Sequence, residues 1–199
     1  MNVLLSFLSA SVLLTLSPGP DLLMVIAQSL EKGRKAAFHF VGGLLTGLCG
    51  HTLLLIFGWA QFIGERPSIV KYIKWAGFLY FLYLGIHSIY DQFQTKANHT
   101  SALQYSNKNS YWQGVFMNGI NPKVSIFFWL FFPNFLFTTS IPIAFQYAIL
   151  GGLFLLQAGI VFSMTIFFAT QLKDFFGHYR FALLTGILWL VLAGYLLVD

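Results

Sequence analysis

Charge is what this chain has least of. Of its 199 residues only 9% are Asp, Glu, Lys or Arg, while 57% are hydrophobic, and the mean hydropathy is +0.74. A soluble domain carries roughly a quarter charged residues, so this chain cannot clothe a water-facing surface. Cysteine is nearly absent as well. Cys49 stands alone, which excludes a disulfide framework and a CxxC redox or metal pair. In its apolar stretch it reads as a small buried apolar residue. The net charge of +5 comes from basic residues scattered among apolar runs. No basic stripe interleaved with aromatics exists, so a nucleic-acid partner is excluded. Polar linkers are scarce too: only Gln94 to Ser110, rich in Asn, Ser, Thr, Gln and Lys, is long enough to be one.

What is there is a series of long apolar runs. A helix crossing the hydrocarbon needs about 20 largely apolar residues. Dividing the chain at its polar breaks gives about six such spans, roughly 3–30, 37–64, 68–90, 111–137, 142–170 and 180–198. The first has no basic n-region and no small-residue cleavage site, so it reads as a retained helix and not a signal peptide. The fold class is therefore an all-α integral membrane protein in a lipid bilayer. Basic residues set the orientation. Lys32, Arg34 and Lys35 follow the first span, Lys96 and Lys108 the third, Lys173 and Arg180 the fifth. Loops 1, 3 and 5 are thus expected in the cytosol and both termini outside, against the milder pull of Arg66, Lys71 and Lys74. Tyr90, Tyr111 and Trp112 fit an inner aromatic belt, and Trp59, Tyr72 and Trp75 an outer one.

The two halves look like copies. Gly42, Gly43 and Gly50 of the second span match Gly151, Gly152 and Gly159 of the fifth. Gly77 and Gly85 of the third match Gly186 and Gly194 of the sixth. One constant offset relates all five pairs. Three spans per half is an odd number, so the copies must lie upside down relative to each other: a 3+3 inverted repeat. On this reading residues 1–93 form the first three-helix repeat, 94–110 a polar cytosolic linker and 111–199 the second repeat, within one membrane domain. The glycines themselves are read chiefly as packing residues.

Two motifs put charge inside this apolar frame. In Ser17-Pro18-Gly19-Pro20-Asp21 the prolines lack amide donors and must break the first helix. Gly19 is expected to supply backbone freedom there, and Pro20 to open a new half-helix with Asp21 in its first turn. Asp21 lies about nine residues from Leu30, or roughly 13 Å, near the midplane. In Asn121-Pro122-Lys123 the asparagine suits an N-cap and the proline a first helical residue. Lys123 lies about 12 residues from Tyr111, or roughly 18 Å, at similar depth. An intramembrane charge marks a functional site by default. Lys123 sits on the positive end of a helix dipole, so something anionic must compensate it: Asp21, or the carboxylate of a substrate. A half-helix N-terminus with Lys123 suits a carboxylate, and Asp21 suits an ammonium group. Free α-amino acids carry both. A desolvated Asp21 that takes up a proton offers a route to proton coupling. His51, and Gln157 at similar depth, are read first as buried hydrogen-bonding residues, with gating or proton relay as the sharper alternative.

At this point the residues resemble a known family. Ser17 through Asp21, Gly114 through Asn121-Pro122-Lys123 to Phe132-Pro133, the Gly33-Arg34 pair, Gly42-Gly43 and Gly77-Phe78-Leu79-Tyr80 are similar to the signatures of the LysE/RhtB amino-acid exporters. The resemblance covers nearly the whole chain. It implies secondary-active efflux of amino acids across the cytoplasmic membrane, small neutral ones such as threonine or homoserine, in exchange for protons by alternating access. It implies no cofactor and no enzymatic activity. Pro18, Gly19, Pro20, Asp21, Asn121, Pro122 and Lys123 carry over as its site residues. The substrate and the oligomeric state, a homo-oligomer included, stay open.

The alternatives fare less well. A divalent-metal exporter needs clustered Asp, His or Cys at the midplane, where Lys123 repels a cation and Asp21 with His51 is too few. An intramembrane hydrolase built on Ser17 and His51 lacks an orienting third group. An exporter of another small metabolite fits the charges. A structural membrane protein leaves them unexplained.

Overall fold

The computed structural model describes residues 3–58, 67–93, 109–176 and, near the C-terminus, 183, 186, 187 and 189–194. Among them all regular structure is helical: α1 (Val3–Leu16), α2 (Pro20–Glu31), α3 (Gly33–Leu54), α4 (Pro67–Phe93), α5 (Ser110–Gly119), α6 (Pro122–Leu130), a 3-10 turn (Phe132–Phe135), α7 (Ile143–Phe167) and α8 (Ala169–Phe176). The described residues between 183 and 194 are helical as well. Residues 94–108 of the expected linker, and Trp59, Arg66 and Arg180, lie outside the described residues.

Apolar length makes this a multi-pass membrane protein. Gly33–Gly58, with a π-helical turn at its end, and Ile143–Phe167 are each long and apolar enough to cross a bilayer. α1 and α2 together make a third span, bent by 55°. α4 has 27 residues and is not among these. Large apolar side chains such as Leu13, Phe57, Phe116, Leu156 and Met164 are exposed, as lipid-facing positions must be.

The expected loop between the first two spans does not exist. α3 begins at Gly33, and Lys32 alone separates it from α2. Gly33 has a φ of 81°, in the left-handed region that glycine enters without a Cβ penalty, so one residue turns the chain and no longer loop is needed. Arg34 and Lys35 therefore belong to the first turn of α3. Cys49 differs from expectation too: it is exposed on α3, because the buried face of that helix is taken by Leu44, Gly47, Leu48 and His51.

α3 is the hub, packing on α2, α5 and α7. Its seam with α5 is backbone against backbone. A Cβ on Gly43 would overlap the Tyr111 carbonyl, and one on Gly114 would overlap the Phe40 carbonyl. Gly85 of α4 and Gly186 also face each other: a Cβ on either would lie 3.1 Å from the other's carbonyl oxygen, and nearer still to the Leu190 or Ile89 side chain. The packing role expected of the repeat glycines holds at Gly43, Gly85, Gly151 and Gly186, where small residues let membrane helices approach closely, but not at Gly50, Gly152 and Gly194, where a Cβ would meet no described atom within 4 Å. α6 is anchored by rings. Phe128 stacks on Phe132 at 4.2 Å, Phe7 of α1 meets Phe132 edge-on at 5.0 Å, and Phe154 of α7 packs on Phe128 at 5.1 Å. These contacts hold the end of α6 and the 3-10 turn after it against α1 and α7.

Candidate functional site: opposite charges at two helix breaks

The first break follows from proline chemistry. Pro18 has no N–H to give the Leu14 carbonyl, and the Ser17 hydroxyl donates to that carbonyl instead at 2.7 Å. α1 stops at Leu16. Gly19 caps α2 in extended conformation with Pro20 at the first helical position and Asp21 in the first turn. The second break repeats the construction. Asn121 caps α6, its Oδ1 accepting from the Lys123 amide at 3.1 Å, with Pro122 at the first position. Both half-helices thus start where the motifs placed them.

The two starts face one cavity. Lys123 Nζ donates to the Ser17 carbonyl at 2.8 Å, a group left over by the break in the first span. The ammonium also lies 5.1 Å from the ring centre of Trp189, a cation–π contact with a side chain that is itself buried. Asp21 Oδ2 accepts from Asn118 Nδ2 at 2.9 Å. The second carboxylate oxygen, Asp21 Oδ1, has no partner, and neither do Asn118 Oδ1 and Asn121 Nδ2. Asp21 is 8% exposed and Lys123 6%. They line the same cavity, of about 20 Å³, with Leu14, Thr15, Asn118, Val124, Phe154 and Ala158 among its walls. That is space for about one water molecule.

Among the described residues no ion pair joins Asp21 to Lys123. Each charge is held by a neutral group, a carbonyl for the cation and an amide for the anion. A purely structural ion pair is therefore not what the two breaks build. They build one buried lysine and one buried aspartate, each with hydrogen-bonding capacity left over. No three His, Cys, Asp or Glu side chains gather among the described residues.

Gly19 corrects its expected role. Its φ of −168° is extended backbone open to any residue. What the position needs is space, since a Cβ there would lie 3.1 Å from Lys123 Nζ and 3.3 Å from Lys123 Cδ. The glycine makes room for the lysine. His51 is buried, and its Nε2 donates to the Asn118 carbonyl at 3.2 Å, which places the ring proton there. Its Nδ1 is unpartnered. Gln157 bridges α7 to α1, donating to Thr15 Oγ1 at 3.0 Å and the Ser11 carbonyl at 3.4 Å. Among the described residues, His51 is joined to Asp21 through Asn118, and Gln157 to the cavity wall through Thr15. Asn118, Thr15 and Trp189 are site residues that sequence reasoning missed. For Asn118 a signal was present: an uncharged polar residue in an apolar span, one turn before Asn121.

Two half-helices that bring a buried lysine and a buried aspartate to one cavity inside a multi-pass helical protein are the kind of arrangement expected of a membrane translocator. The chain belongs to the LysE type translocator family, whose model matches residues 12–199. It is 32% identical over 149 residues to the homoserine/homoserine lactone efflux protein of Salmonella typhimurium, covering 73% of this chain and 70% of that one. It is 28% identical to the Bacillus subtilis membrane protein YrhP, covering 91% of this chain and 90% of the relative. No solved structure matches it.

Proposed function

We propose that the protein exports amino acids across the cytoplasmic membrane by secondary-active transport, and that its substrates are small and neutral, threonine- or homoserine-like. The observation that carries this is the unpaired placement of Asp21 and Lys123 in one buried cavity. An α-carboxylate can replace the Ser17 carbonyl on Lys123, and an α-ammonium can occupy the free oxygen of Asp21. The efflux of homoserine by a relative points the same way. We place proton exchange on the Asp21 carboxylate, whose second oxygen has no partner, while His51 braces the Asn118 that holds it and Gln157 braces the moving half-helix of α1. The two three-helix repeats, 1–93 and 111–199, would rock against each other with the Lys32–Lys35 end in the cytosol.

An amino acid is far larger than one water molecule, so substrate entry requires the half-helices to separate. Alternating access is the simplest motion that does this at two proline breaks.

Counterflow in proteoliposomes against a panel of labelled amino acids tests the reading. Labelled homoserine or threonine is expected to accumulate against unlabelled substrate inside, and an inside-acid gradient is expected to raise uptake. No accumulation of any amino acid, with or without the gradient, would overturn amino-acid export. Counterflow indifferent to the gradient would remove proton coupling alone. Gly19→Val, which forces the Lys123 ammonium aside, is expected to cut counterflow by about 100-fold, the order of loss that follows an ångström of misplacement. Full counterflow in that variant would show that the ammonium position does not matter.

A further inference from the structure

A second feature lies on the outer face of the bundle, apart from the charged cavity. α3 and α7 bound a groove of about 620 Å³ lined by Phe38, Gly42 and Leu45 on one side and Gly159, Met164 and Phe167 on the other. Its walls are apolar apart from Ser163, and Phe38, Met164 and Phe167 each present about half their surface. On α7 the lining runs from Leu155 to Phe167, which is roughly 18 Å at the helical rise. The hydrocarbon core is about 30 Å thick, so the groove is about one leaflet deep. A neighbouring helix crossing the full hydrocarbon core would run about 12 Å beyond it.

One end of the groove is charged. The Arg34 guanidinium lies 5.1 Å from the centre of the Phe167 ring, and Phe167 packs edge-on against Phe38 at 6.0 Å. Arg34 and Lys35 are exposed in the first turn of α3, and among the described residues neither has an ion-pair partner. A cation thus sits at the mouth of an apolar slot one leaflet deep. We propose that this groove binds one anionic phospholipid, with an acyl chain along Gly42 and Gly159 and the headgroup phosphate on Arg34. In a bilayer the acyl chain gains little over its neighbours, since lipid tails are as apolar as the groove. Selectivity therefore falls to the headgroup, where arginine's planar fork matches phosphate and juxtamembrane basic residues favour anionic lipid. The site is independent of the transported substrate and of which leaflet it faces.

Native mass spectrometry of the purified protein in an equal mixture of dioleoyl phosphatidylglycerol and dioleoyl phosphatidylcholine tests it. The wild type is expected to retain one phosphatidylglycerol about fivefold over phosphatidylcholine, the order of preference one basic residue gives near a membrane surface. Arg34→Gln is expected to lose that preference and Arg34→Lys to keep part of it. Gly159→Phe fills the slot and is expected to lose retention. Met164→Trp fills it from an exposed position, so a folding failure at Gly159 does not decide the result. Equal retention of both lipids by the wild type would overturn the proposal, as would an unchanged preference in Arg34→Gln. Groove variants that keep the lipid but convert a dimer to a monomer would reassign the groove to a second copy of this chain.

Discussion

Lys123→Met is expected to abolish amino-acid counterflow while leaving the protein inserted and folded. The variant removes the cation that a substrate carboxylate would meet. A hydrogen bond to a charged group contributes about 1.5–3 kcal/mol, which is roughly 10–100-fold in transport before any cost to the empty site is counted. The Ser17 carbonyl, which accepts from the ammonium at 2.8 Å, loses its donor and adds a moderate destabilisation. Asp21→Asn is expected to fail as completely, because an amide neither attracts an ammonium group nor carries a proton across. The charge-swapped pair, Asp21→Lys with Lys123→Asp, is expected to stay inactive, since the two side chains are held by Asn118 and Ser17 and not by each other. Normal counterflow from either single variant, measured at matched protein per liposome, would sink the site. Rescue in the double variant would show instead that mutual pairing is what matters.

Gly114→Val and Gly43→Val are expected to prevent folding altogether. At Gly114 a Cβ would overlap the Phe40 carbonyl and lie 2.9 Å from the Leu44 amide nitrogen; at Gly43 it would overlap the Tyr111 carbonyl. These neighbours are backbone, so no side-chain rotation relieves the clash and α3 must leave α5. Overpacking a core commonly costs about 1–3 kcal/mol, and this case exceeds it because two helices must part. Size-exclusion profiles of fluorescently tagged variants would show aggregate where the wild type gives a single peak. Gly50→Ala is the control. Nothing lies within 4 Å of a Cβ there, and alanine favours the helix by about 1 kcal/mol. A monodisperse Gly114→Val would mean that the α3–α5 seam is not as close as described.

The parts of this molecule that were legible in sequence are those governed by local backbone chemistry. Pro18, Pro20 and Pro122 dictate helix breaks wherever they occur in an apolar span, and Asn121 announces a cap, so the positions of Asp21 and Lys123 at half-helix starts could be read directly. The matching places of the two breaks in the two halves and their similar depth predict that they meet, and they do line one cavity. What could not be read is who touches whom. Asn118 holds Asp21 across a long stretch of chain, and Trp189 covers Lys123 from the last helical stretch. Neither relation leaves a local pattern. Gly19 departs from expectation for a related reason: its rotational freedom is a local property, but its use is to admit a side chain from α6. The missing loop after Glu31 shows the reverse error, where three basic residues suggested a solvated turn and a single left-handed glycine did the work.

The size of the cavity between Asp21 and Lys123 has a consequence for how tightly any cargo is held. If only the separated arrangement admits an amino acid, the affinity measured on the whole population is the intrinsic affinity divided by the fraction of molecules already open. A fraction of about one in a hundred weakens apparent binding about 100-fold, whatever the quality of the contacts. Occupancy then climbs only when the internal pool is high. On the export reading, such a protein spares a scarce metabolite and discharges a surplus, with the threshold set by the ease of parting two proline-broken helices.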